Sequence, residues 1–270
     1  SVMTALRKNN EPAAKIALGK LVGWQQPSGG WGYGPGHLMT RQQPSFADLG
    51  NTQLAIAALR RARAAGIPVA DTVFESAAAF ALTCQNPDGG FGATPTLGAD
   101  AAPEAQRFHA TSHGSATLAG LSVLITDQSI RAEARSLDPT LEGIQWLTTD
   151  YVADNEEGWR WGVDDQEIVL YAWRLADFLE LSHFRQLDGH TVRDDLIDIL
   201  LDEINPANTW GMGDSESRET LLAVDAMTIV ARPILVNRLD TAAGDMGDDL
   251  TRWLDARNTT TDGDQENRGR

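Results

Sequence analysis

The 270-residue sequence contains a single cysteine, Cys84. One cysteine excludes an intrachain disulfide and supplies too few thiolates for a metal cluster. The sequence also lacks an apolar run near the roughly 18 residues of a membrane-spanning helix. It lacks the pattern of a signal peptide as well. These absences predict a chain without a transmembrane segment and favour the cytoplasm over secretion.

Basic residues are scarce relative to acidic ones. The chain has 22 Lys and Arg against 38 Asp and Glu, which gives a formal net charge of −16. Nucleic acids and anionic membrane surfaces bind proteins through basic patches. The composition therefore argues against both as partners, while the 42% of hydrophobic residues is enough for a sizeable core.

A short motif occurs twice between helical patterns. QQPSGGW begins at Gln25 and QNPDGGF begins at Gln85, so both copies read Q-x-x-x-G-x-(W/F) with an offset of 91 − 31 = 60 residues. Repetition at such a period is typical of stacked supersecondary units. The residues of the repeat motif are Gln25, Gly29, Trp31, Gln85, Gly89 and Phe91, with Trp210 as the matching aromatic of a later copy.

Helical periodicity on both sides of these turns predicts an all-α fold of about four hairpins without a convincing strand. We expect a lead-in over 1–12, hairpin units at about 13–66, 71–126, 137–182 and 190–232, a short helix at 246–256 and a disordered tail at 257–270. Asp48 or Asn51 can cap the second helix. Each turn is followed by an aromatic that we expect to pack back against its hairpin. These aromatics are Trp31, Phe91, Trp159 or Trp161, and Trp210.

The repeated motif resembles the QW repeat of squalene and oxidosqualene cyclases. The stretch CQNPDGGFG, at residues 84–92, is similar to the repeats of protein prenyltransferase β subunits. The resemblance covers residues 13–125 well and 137–231 weakly. It implies an α/α toroid, open or incomplete with only four hairpins, whose central cavity binds a polyprenyl or triterpene-like chain.

The same resemblance implies that the standard acid of the cyclases is missing. In that family a D-x-D-D-T-A segment opens a central helix, and its middle Asp protonates the substrate. The similar place here reads DLGNTQ, which keeps Asp48 and Thr52 but has Gly50 at the donor position and Asn51 after it. Proton-initiated cyclisation at this site is therefore not expected, and Asp48 and Asn51 remain candidate ligand-binding residues.

The zinc site of the prenyltransferases is also incomplete. Those enzymes hold zinc with an Asp, a Cys two residues later and a His from a later repeat. Gly50 stands where the Cys should be, and only Asp48 and His113 resemble the other ligands. Two ligands are too few for a zinc site. We therefore predict no metal and no cofactor, consider zinc unfavoured, and leave magnesium open.

Other polar residues at predicted helix starts have two interpretations. Asp164 and Asp165 open the third central helix, where they either complement the helix dipole or form a relocated acid cluster beside Trp161. If the protein is a terpene cyclase-like or prenyltransferase-like enzyme, these two carboxylates are the predicted catalytic acids. His109 and His113, four residues apart, and Asp214, at the start of the fourth central helix, are further candidate ligand-binding residues.

The sequence thus predicts an isoprenoid-handling domain with degenerate acid and zinc sites, whose activity is diverged or lost. Two alternatives stay open. One is a protein-interaction toroid within a larger protein. The other is a carbohydrate-active α/α barrel, which would need paired carboxylates such as Asp48, Asp164 and Asp214.

Overall fold

A computed structural model describes residues 11–32, 47–95, 111–131, 137–150, 168–184, 186–187, 190–207, 209–210 and 216–231. These residues are mainly helical, so the all-α prediction is confirmed. The helices are α1 (Glu11–Gly23), α2 (Leu49–Ala64), α3 (Asp71–Thr83), α4 (Gly114–Ile130), α5 (Asp138–Asp150), α6 (Ile168–Ser182), α7 (Val192–Asp202) and α8 (Glu216–Ala231).

Two short antiparallel strand pairs were not expected from the sequence. Strand β1 (Trp31–Gly32) pairs with β2 (Ala47–Asp48), and β3 (Gln186–Leu187) pairs with β4 (His190–Thr191). Each strand has two residues, which is too short to show the alternating pattern by which a strand is recognised.

The chain divides into two compact units, residues 1–230 and 231–270. The helix predicted at 246–256 and the tail predicted at 257–270 belong to the second unit, and both lie outside the described residues. The eight helices belong to the first unit, apart from the last residue of α8. We refer to the predicted hairpins by their helices, as α1–α2, α3–α4, α5–α6 and α7–α8.

Packing between hairpins follows one rule. Helices α2, α4 and α6 pack on each other in sequence order. In addition, α2 packs on α3, α4 on α5, and α6 on α7, so a second helix contacts the first helix of the next hairpin. Helix α4 is buried continuously from Ser115 to Leu124, as expected for a helix with neighbours on all sides.

The glutamine of each motif joins its turn to the next hairpin. Gln25 Nε2 donates to the carbonyl of the motif glycine four residues on (2.8 Å) and to Val73 O in the first turn of α3 (2.9 Å). Gln85 makes the matching bonds to its own motif glycine (3.0 Å) and to Pro139 O in α5 (2.8 Å). In both copies the glutamine thus bonds backbone in its own turn and at the start of the first helix of the next hairpin.

The motif glycines need a left-handed backbone. Gly29 has φ +94° and Gly89 has φ +90°, a region that side chains with a Cβ rarely adopt. A Cβ added at Gly89 would lie 2.8 Å from Glu142 O in α5. Glycine is therefore required both for the turn and for its close approach to the next helix.

The aromatic after each described turn packs as predicted. Trp31, Phe91 and Trp210 are all buried. In each case the backbone N–H donates to a threonine Oγ1 near the start of the second helix, at 3.0–3.1 Å: Trp31 to Thr52, Phe91 to Thr117 and Trp210 to Thr220. Each of the two indole N–H groups donates to a carbonyl ten residues earlier, at 2.7 Å. Trp159 and Trp161 lie outside the described residues.

Candidate functional site

The starts of α2 and α4 hold two of the predicted ligand-binding residues as helix caps. Asp48 Oδ1 accepts from the Asn51 backbone N–H (2.7 Å), and Asp48 Oδ2 accepts from Asn51 Nδ2 (2.6 Å). His113 Nδ1 accepts from the Ala116 N–H (3.3 Å). Both side chains satisfy backbone donors that the first turn leaves without a partner.

An arginine from α6 brings the two helix starts together. Arg174 Nη1 donates to Ser115 Oγ in the first turn of α4. Its guanidinium also occupies the space that a Cβ at Gly50 would take, beside the Asp48 carboxylate. We call Asp48, Asn51, His113, Ser115 and Arg174 the helix-start cluster. The position that resembles the donor acid of the cyclases is thus next to a fixed positive charge.

Burial sets the protonation of this cluster. Burial raises the pKa of Asp48, although the hydrogen bonds from Asn51 and the charge of Arg174 act in the opposite direction. Burial, helped by Arg174, lowers the pKa of His113 to about 4. His113 is therefore neutral at pH 7, and because its Nδ1 accepts a hydrogen bond, its proton is on Nε2.

The cluster is rich in hydrogen-bond donors. The Arg174 guanidinium and His113 Nε2–H can donate to an oxygen of a ligand, close to the positive ends of two helix dipoles. Gly50 has no side chain that could donate a proton. The arrangement therefore suits recognition of an oxygen-rich group better than protonation of an alkene.

The thiol of the chain does not complete a metal site here. Cys84 is buried, with its Sγ donating to Phe80 O (3.6 Å), and burial raises its pKa to about 12. It therefore remains a neutral thiol at pH 7. Within the described ranges, no three His, Cys, Asp or Glu side chains come together in a way that could hold a metal ion.

A second polar cluster lies among the second helices, and sequence reasoning missed it. Gln53 Nε2 donates to Ser122 Oγ (3.1 Å) and to Asp177 Oδ2 (3.3 Å), so one side chain of α2 bridges α4 and α6. Arg60 Nη2 donates to Asp177 Oδ1 (2.7 Å). Asp177 is only 2% exposed. Burial raises its pKa, with Arg60 and Arg61 acting against that shift.

The same cluster extends to α8. Arg61 Nη1 donates to Asp225 Oδ2 (2.5 Å), and the Trp173 indole N–H donates to the same oxygen (2.8 Å). Arg61 also pairs with Glu180 at 3.4 Å. We call Gln53, Arg60, Arg61, Ser122, Trp173, Asp177, Glu180 and Asp225 the central cluster. The sequence signal for it was the pair Arg60 and Arg61 in α2 and the acidic residues Asp177 and Glu180 in α6, because buried charges are rarely left without partners.

The structure places two of the predicted ligand residues, Asp48 and His113, near Arg174, and the third, Asn51, hydrogen-bonds to Asp48. The other candidates lie outside the described residues, and their roles stay predictions: Asp164, Asp165, His109, Trp161 and Asp214.

Comparisons with protein-family models, with curated proteins and with solved structures found no match to this chain. Its class therefore follows from its own geometry, which is that of an all-α protein built from helical hairpins with a recurring turn. None of the described helices is long and apolar enough to cross a membrane.

Proposed function

We propose that this chain is an isoprenoid-handling domain that binds a polyprenyl or triterpene-like chain with the polar end of the ligand at the helix-start cluster. The observation behind this proposal is the Arg174 guanidinium beside Gly50 and Asp48. A guanidinium at this place binds an anionic or oxygen-rich head group. It does not supply the proton that starts cyclisation, so the proposed activity is binding, or a transfer reaction that does not begin with alkene protonation.

The central cluster supports this position for the ligand. The side chain of Gln53, five residues after Asp48 in the chain, bridges α2, α4 and α6. Because the central cluster already fills the space between these helices with protein groups, the polar end of a ligand is better accommodated at the helix starts. The hydrogen-bonded turns support the proposal at a coarser level, since they match the repeat that suggested the resemblance.

The test is a thermal-shift series with farnesyl diphosphate, geranylgeranyl diphosphate and squalene, with and without magnesium and zinc. It is paired with mass spectrometry of an organic extract of the purified protein. We expect the diphosphates to raise the melting temperature of the wild type and to lose this effect in Arg174→Gln. Ser115→Ala, which keeps the charge but removes one bond to Arg174, should weaken the effect.

Arg63→Gln is the matched control, because Arg63 pairs with the exposed Asp71 and lies in neither cluster. It should respond to the diphosphates as the wild type does. Absence of any retained isoprenoid, together with no shift from any compound, would end the proposal.

A protein-interaction module is the second candidate, and the central cluster favours it. Direct packing of α2, α4 and α6 around Gln53 and Asp177 resembles a structural core more than a binding cavity. The thermal-shift series separates the two candidates, since an interaction module gains no stability from isoprenoids.

A further inference from the structure

The first helix of each middle hairpin is covered by the turn of the hairpin before it. On α3 the preceding turn contacts Val73 through Gln25, and a Cβ added at Gly30 would lie 2.7 Å from the Phe80 ring. On α5 the turn of the second hairpin contacts Pro139 through Gln85, and a Cβ added at Gly90 would lie 2.8 Å from Trp146. The covered positions are seven residues apart in both helices (80 − 73 = 7 and 146 − 139 = 7).

The matching surface of α1 is exposed. With the repeat offset of 60, Phe80 and Cys84 correspond to Lys20 and Trp24. Phe80 and Cys84 are each 2% exposed, whereas Trp24 is 54% exposed. Ile16, one turn before Lys20, is 64% exposed.

Two glycines lie on the same side of α1. A Cβ added at Gly19 or at Gly23 would meet nothing within 4 Å. Glycine inside a helix is destabilising relative to alanine, and nothing packed against Gly19 in the described residues explains it, whereas Gly23 is the last residue of α1. We call Ile16, Gly19, Lys20, Gly23 and Trp24 the α1 face.

The other end of the hairpin series is also exposed. We count from the threonine that accepts the bond from the turn aromatic, which is Thr52 in α2, Thr117 in α4 and Thr220 in α8. Leu221 and Val224 of α8 then occupy positions +1 and +4. The same positions are at most 1% exposed in α2 (Gln53, Ile56) and in α4 (Leu118, Leu121). Leu221 is 54% exposed and Val224 is 42% exposed. We call Leu221 and Val224 the α8 face.

We propose that two copies of this chain associate by packing the α1 face of one copy on the α8 face of the other. Within the chain, a second helix packs on the first helix of the following hairpin. The contact of α8 with α1 of a second copy continues this rule between molecules. If both copies take part reciprocally, the two contacts form a closed two-fold dimer.

Charge complementarity selects a second copy as the occupant. The sequence contains three lysines, Lys8, Lys15 and Lys20, although its net charge is −16. Lys15 and Lys20 are exposed on α1, and because Lys15 already pairs with Glu11 at 2.6 Å, the complementarity rests on Lys20 of the α1 face. Helix α7, joined to α8 through the bonds of Trp210, exposes Asp194, Asp198 and Asp202. The basic end of one copy thus suits the acidic end of another.

The first test is the molar mass of the full chain by sedimentation or light scattering over a wide range of protein concentration. We expect a dimer that dissociates on dilution and on addition of salt. Trp24→Ser and Val224→Ser should each shift the equilibrium to monomer, and Lys20→Glu should weaken association through charge. Leu137→Ser is the matched control, since Leu137 is also 54% exposed but belongs to neither face.

The second test uses disulfide trapping, which is favourable because the natural cysteine, Cys84, is buried. An oxidised mixture of Ile16→Cys and Val224→Cys chains should give a linked dimer that neither chain gives alone. A chain that carries both Ile16→Cys and Val224→Cys should form disulfides between molecules. A monomer at every concentration would overturn the proposal. Linkage of the double variant only within single chains would also overturn it, because the fourth hairpin of the same chain would then cover α1.

Discussion

His113 illustrates how one buried side chain links the fold to pH. It caps α4 through Nδ1, and burial lowers its pKa from the ordinary 6.5 to about 4. Between these two values the unfolded chain binds a proton that the folded chain does not bind. The free energy of unfolding therefore falls as the pH is lowered through this window.

Replacement of His113 by Asn tests this linkage, because Asn keeps an acceptor for the cap. We expect the wild type to lose about 2 kcal/mol more stability than His113→Asn between pH 7 and pH 5. Urea unfolding at the two pH values measures the difference. The raised pKa of Asp48 acts with the opposite sign, but it is present in both proteins and largely cancels.

His183→Asn serves as the control, since His183 is exposed at the end of α6 and Asn tolerates its positive φ of 56°. It measures the effect of replacing an exposed histidine by the same residue. Equal losses in wild type and His113→Asn would show that His113 is protonated as readily in the folded protein as in the unfolded chain.

At the residue scale the sequence could predict caps but not their neighbours. Asp48 was expected at the start of α2 because Asp, Ser, Thr and Asn are preferred there. Arg174 was not foreseen beside it, since the two residues are 126 positions apart (174 − 48 = 126). Contacts of this kind depend on how helices pack rather than on any local pattern.

At the element scale, the first, second and fourth hairpins share a bond between the turn and the second helix. The Phe91 N–H donates to Thr117 Oγ1 in a buried position. Thr52 and Thr220 make the same bond in the first and fourth hairpins. The bond fixes the angle at which the chain enters the second helix, because it joins a turn to a residue 26 positions later (117 − 91 = 26).

Thr117→Val should therefore destabilise the protein by about 1–3 kcal/mol, since it leaves a buried N–H without an acceptor. Thr117→Ser keeps the hydroxyl and should retain more of the stability. Urea unfolding of the three proteins gives the comparison. Thr149→Val is the control, because Thr149 is exposed in α5. A loss no larger for Thr117→Val than for Thr149→Val would contradict the role of the bond.

The order and extent of the helices were largely predictable from periodicity and turn residues. Helix α4 is the clearest difference, since it ends at Ile130, beyond the predicted end of its hairpin unit at about residue 126. Its last turns contain Asp127, which is 2% exposed and pairs with Arg131 (2.7 Å) and so allows polar residues to continue a buried helix. Hydrophobic periodicity does not predict such pairing, because it takes polar residues as a sign that the helix has ended.

At the scale of the whole molecule, the central cluster joins the beginning of the hairpin series to its end. Arg61 of α2 pairs with Asp225 of α8, and Trp173 of α6 donates to the same carboxylate. The predicted toroid requires some contact of this kind between first and fourth hairpins, and the repeat motif does not provide it. The toroid itself remains a prediction, as does the central cavity that the resemblance implies.

Removal of the Asp225 carboxylate tests how much this junction contributes. Asp225→Ala leaves Arg61 largely buried (16% exposed) with fewer partners, and breaking a buried pair costs about 3–5 kcal/mol. We expect about 3 kcal/mol, measured by urea unfolding at one protein concentration, because Glu180 still pairs with Arg61. Asp71→Ala, which breaks the exposed pair with Arg63, should cost about 0–1 kcal/mol. If both variants lose the same small amount, the Arg61–Asp225 pair does not hold the fourth hairpin, and apolar packing of Ala223 and Ala226 in α8 must do so instead.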